Sequence, residues 1–477
     1  MIGIYLLSAL IIATLLYLID SIAVKHILIS FFVVIQAAYA LYAYTHMNIA
    51  ELEYFTPDAL GVLFLSVVSI ITIPALIHSR IYFIYHPYLP REQGMYYAAM
   101  VILIAALSAA YLANHIAVTW VFVELTTLSA SALIYHRRNN LTLEGTWKYI
   151  FVCSISITLV FIGILFLSIA IQEEGLKDLS YTALLQQAPH LNVFWLKLAF
   201  LFIFTGFTSK VGLVPMYTAG IDAKDKSPHP AGALLSSVLM NMGFIGIFRF
   251  YEIISHTSIH AWSNNIMFIS AGASVFVATV YMLKVKNFKR LMAYSSVEHM
   301  GLVFLGLAAG GIGAYAAILH LVLHSFAKSS LFLQFGQMNR TFNSKNIYDM
   351  GDYFRLNPSG AILLLLSFIT VTAMPPSGMF ISEFLLFRSL FEAHLIWLMV
   401  AVLILLTFII WSFGRNVFKI LFIKPVSFDE SKFKRIPPAE SLSQYLLLAV
   451  VLWFGYYPPA QLIDLIQTAI INLPQLP

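Results

Sequence analysis

Apolar residues in this chain come in long unbroken blocks, with neither the alternation of a half-buried strand nor the narrow stripe of a soluble helix. Taking about 20 consecutive apolar residues per crossing, the pattern predicts fourteen transmembrane helices. They lie near 3–20, 27–45, 58–83, 95–113, 115–135, 148–171, 195–219, 230–251, 263–283, 291–309, 312–336, 359–388, 393–413 and 441–457. The segment PPAQLIDLIQTAIINL after them reads as a short amphipathic piece lying on the surface. No polar stretch between the blocks is long enough for a soluble domain. The first block lacks a basic start and a small-residue cleavage site, so it reads as a span and not as a cleavable signal.

Composition agrees with this all-α integral membrane class: 60% hydrophobic, 10% charged and a mean hydropathy of +0.85 exclude an ordinary soluble protein. One cysteine, Cys153, excludes a disulfide framework or a cysteine-ligated cluster. The net charge of +5 raises nucleic acid as a partner, but the charge distribution answers it. Of the 27 Lys and Arg, 21 fall in or beside alternate loops, including the clusters Arg137–Arg138, Lys284/Lys286/Lys289/Arg290 and Lys432/Lys434/Arg435. Lys177, Lys197, Arg249 and Arg388 lie near the opposite face, and Lys210 and Lys328 lie inside spans. Basic loops stay cytoplasmic, which puts both termini outside.

Two of the predicted spans contain prolines. Pro215 in helix 7 removes the hydrogen bond to the Val211 carbonyl, and Pro375 and Pro376 do the same to Val371 and Thr372 in helix 12. Freed backbone at membrane depth needs protein or water around it. Helices 7 and 12 are five apart, which predicts two five-helix repeats, helices 4–8 and 9–13, inverted because five is odd. The expected organisation is 1–94 for helices 1–3, 95–253 and 254–413 for the two repeats, and 414–477 for a cytoplasmic loop, helix 14 and the amphipathic end. An ordinary proline kink explains either break taken singly.

Ionisable residues stand beside both breaks and between them. Glu124 (helix 5), Lys210 (helix 7), Lys328 (helix 11) and Glu383 (helix 12) lie within apolar spans, where a charge costs about 2.5–3.5 kcal/mol even on the mildest scale. His320, His324 and Lys328 are spaced by four, so they share one helix face and climb about 6 Å per step. Histidine and lysine exchange protons readily once buried, which makes this face a candidate proton ladder. A metal at the histidine pair is disfavoured, because no further ligand lies between them and Lys328 repels a cation. Glu124 and Lys210 form a candidate pair that either glues two helices or releases a proton when separated. Glu298 and His299 in helix 10 read as a side branch, Asn241 in helix 8 as a neutral positioning residue, and Glu144 with Lys148 as a local ion pair on a secondary polar path. His229, at the start of helix 8, reads as interfacial.

The motifs WVFVELTTLSA, FTSKVGLVPMYTAGIDAKDKSPHPAGALLS, NFKRLMAYSSVEHMG, LHLVLHSFAKSSLFL and MPPSGMFISEFLLF resemble the antiporter-like subunits shared by respiratory complex I, Mrp sodium/proton antiporters and membrane-bound hydrogenases. Within them SSVEHMG, WKYIFVCS and PPSGMFISEF are similar to the hydrogenase-4 component F branch. The resemblance implies a bacterial inner-membrane location, other membrane subunits and a peripheral energy-coupling subunit as partners, and no cofactor or redox centre in this chain. It implies that Glu124 modulates Lys210, that His320, His324 and Lys328 connect along the central axis, and that Glu383 is the terminal residue. Asn241 departs from the pattern, since many complex I subunits carry a lysine there.

The leading expectation is therefore a non-catalytic, proton-translocating subunit of a redox-driven membrane complex. Two other readings stand beside it: a subunit of an Mrp-like sodium/proton antiporter or proton-driven inorganic-carbon uptake system, and a scaffold whose charges are fixed pairs.

Overall fold

The computed structural model describes residues 1–173, 175, 177–425 and 436–474. Among these the regular elements are helices, with only isolated bridges and no strand. Eleven helices are long and apolar enough to cross a membrane, or twelve if Pro438–Tyr456 and Ala460–Ala469 are one broken span. Three of the expected stretches form shorter helices: Ile2–Leu18 has 17 residues, 359–388 divides into helices of 14 and 15, and Leu442–Tyr456 has 15. The chain is a multi-pass integral membrane protein. The basic cluster Lys432/Lys434/Arg435 lies outside the described residues.

The residues divide into two compact units. Unit 1 holds α1 (Ile2–Leu18), α2 (Ile22–Thr45), α3 (Ala59–Tyr85), α4 (Pro90–Leu112), α5 (Ile116–Ile134), α6 (Asn140–Gln172), α7 (Tyr181–Gln187), α8 (Val193–Val211), α9 (Thr218–Lys226) and α11 (Val238–Ser255). It also takes the first residues of α10 (His229–Ser236) and of α12 (His260–Lys284). Asparagine and aspartate side chains start several of these helices by accepting from orphan backbone N–H groups. Asp58 accepts from Gly61 at 2.8 Å, Asn139 from Thr142 at 2.8 Å and Asn192 from Phe194 at 3.0 Å. The α6–α8 crossing is close because Gly163 and Gly206 lie in it, a common device where lipid supplies no hydrophobic drive between helices.

Arg249, one of the basic residues that departs from the cytoplasmic bias, has a structural use in unit 1. Its guanidinium, on α11, donates to the Ala113 carbonyl and, at 2.6 Å, to the Tyr111 carbonyl, two acceptors left open at the end of α4. It also pairs at 2.8 Å with Asp58, the residue that caps α3. Asp58 is 40% exposed, so that ion pair adds little and the carbonyl bonds carry the effect. Arg249→Ala is expected to destabilise unit 1 by about 3 kcal/mol, by removing charged hydrogen bonds and stranding two buried carbonyls. Thermal unfolding in detergent checks this, and an unchanged melting temperature would contradict it.

Unit 2 holds Gly232–Ser237 from α10, the remainder of α12, α13 (Phe288–Ala309), α14 (Ile312–Phe342), α15 (Tyr353–Leu356), α16 (Pro358–Val371), α17 (Gly378–Glu392), α18 (Ile396–Phe422) and α19 (Leu442–Tyr456). α20 (Ala460–Ala469) follows, its residues divided between the units. Asn287, Asn357 and Ser377 cap α13, α16 and α17. α14 is the axis of the unit: it packs against α13, α16, α17 and α19, and its membrane-spanning stretch is wholly buried. A helix enclosed on every side has no lipid-facing surface, which explains how it carries so many polar residues.

Candidate functional site

In unit 1 the chain leaves the helix after Val211 and resumes at Thr218. The break precedes Pro215. Gly212 adopts φ 91°, a left-handed conformation that glycine takes without steric cost, and its N–H and that of Leu213 both close on the Thr208 carbonyl. The expectation that proline itself cuts the helix is corrected: the glycine ends it, and Pro215 follows in the non-helical stretch. Unit 2 repeats the arrangement. α16 ends at Val371, Ala373 has φ 47°, and Pro375 and Pro376 lie in the gap before α17.

Lys210 sits in the last turn of α8, buried, and its ammonium donates to Thr127 Oγ1 at 2.5 Å. The same ammonium lies 5.5 Å from the ring centre of Tyr149, and Cys153, one turn on, stands beside both. Glu124 lies three residues from Thr127 on α5 and within electrostatic reach of Tyr149 and Cys153. Among the described residues Glu124 and Lys210 form no ion pair within 4 Å, so the expected direct pair is corrected to a cluster. Thr127 and Tyr149 occupy the near positions because α6 packs against both α5 and α8. One buried oxygen of Glu124, Oε2, has no hydrogen-bond partner among the described residues, and the Tyr149 hydroxyl faces the Cys153 thiol, a weak partner. Buried polar atoms are normally satisfied, so such a pair marks a place suited to water. Gly243 of α11 lets that helix approach: a methyl there would come 2.8 Å from Lys210 Cβ and 2.7 Å from the Val211 nitrogen.

In unit 2, α14 turns His320, His324 and Lys328 towards α13. Lys328 donates to Ser295 Oγ at 2.7 Å and to the Met292 carbonyl at 3.3 Å. The rings of His320 and His324 each lie 5.2 Å from that of His299. Met292, Ser295 and His299 follow at i, i+3 and i+7, so one face of α13 matches the face of α14.

His299 is the centre of this cluster, not a side branch. Its Nδ1 lies 3.2 Å from His320 Nε2, 3.6 Å from Glu298 Oε1 and 3.7 Å from Glu383 Oε1. His320 uses its other nitrogen on Ser382 Oγ at 2.9 Å, which fixes the ring. The Val371 carbonyl at the end of α16 faces His299, so the helix break contributes an acceptor to the cluster. His299, His320 and Glu383 offer three ligand-type atoms within 4.8 Å of one another, a grouping that does not include His324.

Other expected residues fall elsewhere. Glu144 and Lys148 do pair, at 2.5 Å, but both side chains are more than half exposed, so they line no buried route. Exposed i, i+4 pairs contribute only a few tenths of a kcal/mol, roughly. Asn241 is fully buried in α11, and His229, expected at the interface, is buried as well. Tyr149, Cys153, Ser295 and Lys224 were not singled out as site residues. The i, i+4 spacing of Tyr149 and Cys153 inside an apolar run was the available signal for the first two. Lys224 hid in the charged run DAKDK, which reads as a solvated loop; its ammonium is buried, 3.1 Å from Met240 Sδ.

The chain is similar in sequence to known proteins over about 70% of its length and in fold over nearly all of it. It is 29% identical over 348 residues to the hydrogenase-4 component F homolog of Methylacidiphilum infernorum, covering 71% of this chain and 73% of that protein. It is 26% identical to hydrogenase-4 component B of Escherichia coli K12, covering 70% of this chain but only 50% of that longer protein. Its fold matches a chain of the membrane-bound sulfane sulfur reductase, an archaeal respiratory membrane complex, with a TM-score of 0.87 and 19% identity over 99% of this chain and 98% of the other. Residues 113–409, which include both clusters, match the family of NADH:quinone oxidoreductase and Mrp antiporter transmembrane proteins, and the chain belongs to that family.

Proposed function

We propose that this chain is the proton-translocating membrane subunit of a multisubunit complex, with each of its two buried clusters acting as a proton-exchanging station. The carrying observation is the buried His299, whose Nδ1 faces His320, Glu298 and Glu383 within 3.7 Å. A site of imidazoles, carboxylates and an ammonium is made of groups that bind and release protons. Redox or other energy-yielding chemistry is assigned to a peripheral partner, and further membrane subunits are expected beside this one, as the names of the relatives support. The fourteen-span count, the inverted repeats of helices 4–8 and 9–13 and the external termini belong to the same proposal. The paired breaks at 212–217 and 372–377 support it.

The Mrp part of the family description favours a second reading, sodium/proton exchange. Sodium is a hard cation and calls for a set of oxygen ligands, whereas the unit 2 cluster offers two or three imidazoles and lies beside Lys328. Protons fit that donor set better.

The test is the assembled complex in sealed vesicles, driven by its own partner subunits, with internal acidification followed with and without sodium. Sodium-independent acidification is expected, and Lys328→Ala is expected to slow it by about tenfold or more. Acidification that requires sodium would favour the second reading. Full activity in Lys328→Ala would remove the lysine from the relay.

A further inference from the structure

Lys224 is a buried cation that the two clusters described so far leave unused. It lies in α9, just after the break that follows Lys210, and only 3% of it is exposed. The charges around it do not neutralise it. Asp225 pairs with Lys226 at 3.2 Å, and the Lys226 stem lies towards α6 at Gly145. Among the described residues no carboxylate lies within ion-pair distance of Lys224 Nζ, whose one hydrogen-bonding neighbour is Met240 Sδ at 3.1 Å. A thioether is a weak acceptor and leaves most of the ammonium's bonding demand unmet. Merely filling this space would be done better by an apolar side chain, since burying a charge is costly and packing is not.

Its position gives the charge a use. Met240 and Gly243 are separated by three residues on α11 and share a face of that helix, about 4.5 Å apart along its axis. Lys224 Nζ meets this face at Met240, and the stem of Lys210 meets it at Gly243. The two lysines therefore address one stripe of one helix, a single turn apart. Glu124, Tyr149, Cys153 and Thr127 are polar groups on the Lys210 side, and Asp222, Asp225 and Lys226 share α9 with Lys224. Asn241, beside Met240, cannot carry a proton of its own.

We propose that Lys224 is a second proton-exchanging lysine of unit 1, its proton passing to or from Lys210 through water along the Met240–Gly243 face of α11, since neither residue of that face carries a proton itself. This deepens the translocation reading and rests on it. The experiment compares proton translocation by the assembled complex in vesicles carrying the unaltered chain, Lys224→Met, Lys224→His and Lys210→Ala. Lys224→Met keeps the length and removes the proton; it is expected to lower the rate at least about tenfold. Lys224→His is expected to restore part of that rate and to move the alkaline limb of the pH profile downward, because a free imidazole releases its proton about four pH units below an amine. A rate for Lys224→Met within twofold of the unaltered complex, with Lys210→Ala inactive, overturns the Lys224 assignment alone. So does a Lys224→His profile superimposable on the unaltered one, a measurement that stands even if Lys224→Met fails to assemble. A complex that moves no protons before any substitution overturns the translocation reading, and this one with it.

Discussion

Alanine in place of His299 is expected to slow proton translocation by about 100-fold or more while the complex still assembles. The expectation comes from connectivity. His299 Nδ1 is the one atom that faces His320, Glu298 and Glu383 together, at 3.2, 3.6 and 3.7 Å. Proton transfer between heavy atoms needs about 2.6–3.2 Å or one intervening water. The first contact meets that directly, and the other two meet it with a small movement. Removing the imidazole leaves His320, held by Ser382, and Glu383 at up to 4.8 Å, beyond the reach of direct transfer. Water filling the cavity could reconnect them, so glutamine at 299 is the sharper variant. It fills much of the volume and keeps a donor and an acceptor, but it cannot bind an extra proton. Equal loss in both variants, read as the initial rate of acidification per assembled complex, shows that His299 must titrate. Full activity in His299→Gln would make it a passive hydrogen-bond bridge.

His299 also shows where sequence reading stops. The membrane class and the helical fold were legible because burial in lipid demands long apolar blocks, and no alternative structure satisfies the backbone there. The shared face of His320, His324 and Lys328 was legible because it depends on the period of one helix. Which residue of α13 that face meets depends on crossing angle and register, and neither leaves a mark within a single element. His299 therefore reads from the sequence as a side branch, although its ring meets those of His320 and His324. The helix breaks were located by their prolines, yet α8 ends at Gly212 because a left-handed residue can close the helix before proline forbids it. Lys224 illustrates the opposite failure. In a run of alternating charges a lysine is usually solvated, and only the three-dimensional path of α9 turns this one inward. Glu144 and Lys148 carry the same lesson reversed, since their spacing is right for a pair and their exposure is wrong for a route.

Lys210→Ala is expected to reduce translocation by about 100-fold, and Lys210→Arg to reduce it as much. The pair of substitutions separates two roles that alanine alone confuses. If Lys210 were a fixed charge gluing α8 to α5 and α6, arginine would keep the charge, still reach Thr127 and retain a cation over the Tyr149 ring. Activity would then survive. Arginine does not give up its proton in proteins, so a lysine that must alternate between charged and neutral forms has no functional replacement there. Among the described residues no carboxylate lies within ion-pair distance of Lys210, which favours the second role. Glu124 stands near enough to act through space, across Tyr149 and Cys153, but does not clamp the ammonium in one state. Thr127 Oγ1 accepts from the ammonium while its own proton goes to the Val123 carbonyl at 3.3 Å, and a neutral amine still has N–H groups to donate, so the contact survives either state. Tyr149→Phe is a control on the same residues: its hydroxyl faces the Cys153 thiol, a weak hydrogen-bond partner, so its loss should leave the fold intact. Wild-type rates in Lys210→Arg would return Lys210 to a structural role, whereas inactivity in both variants with normal assembly requires that its proton leave.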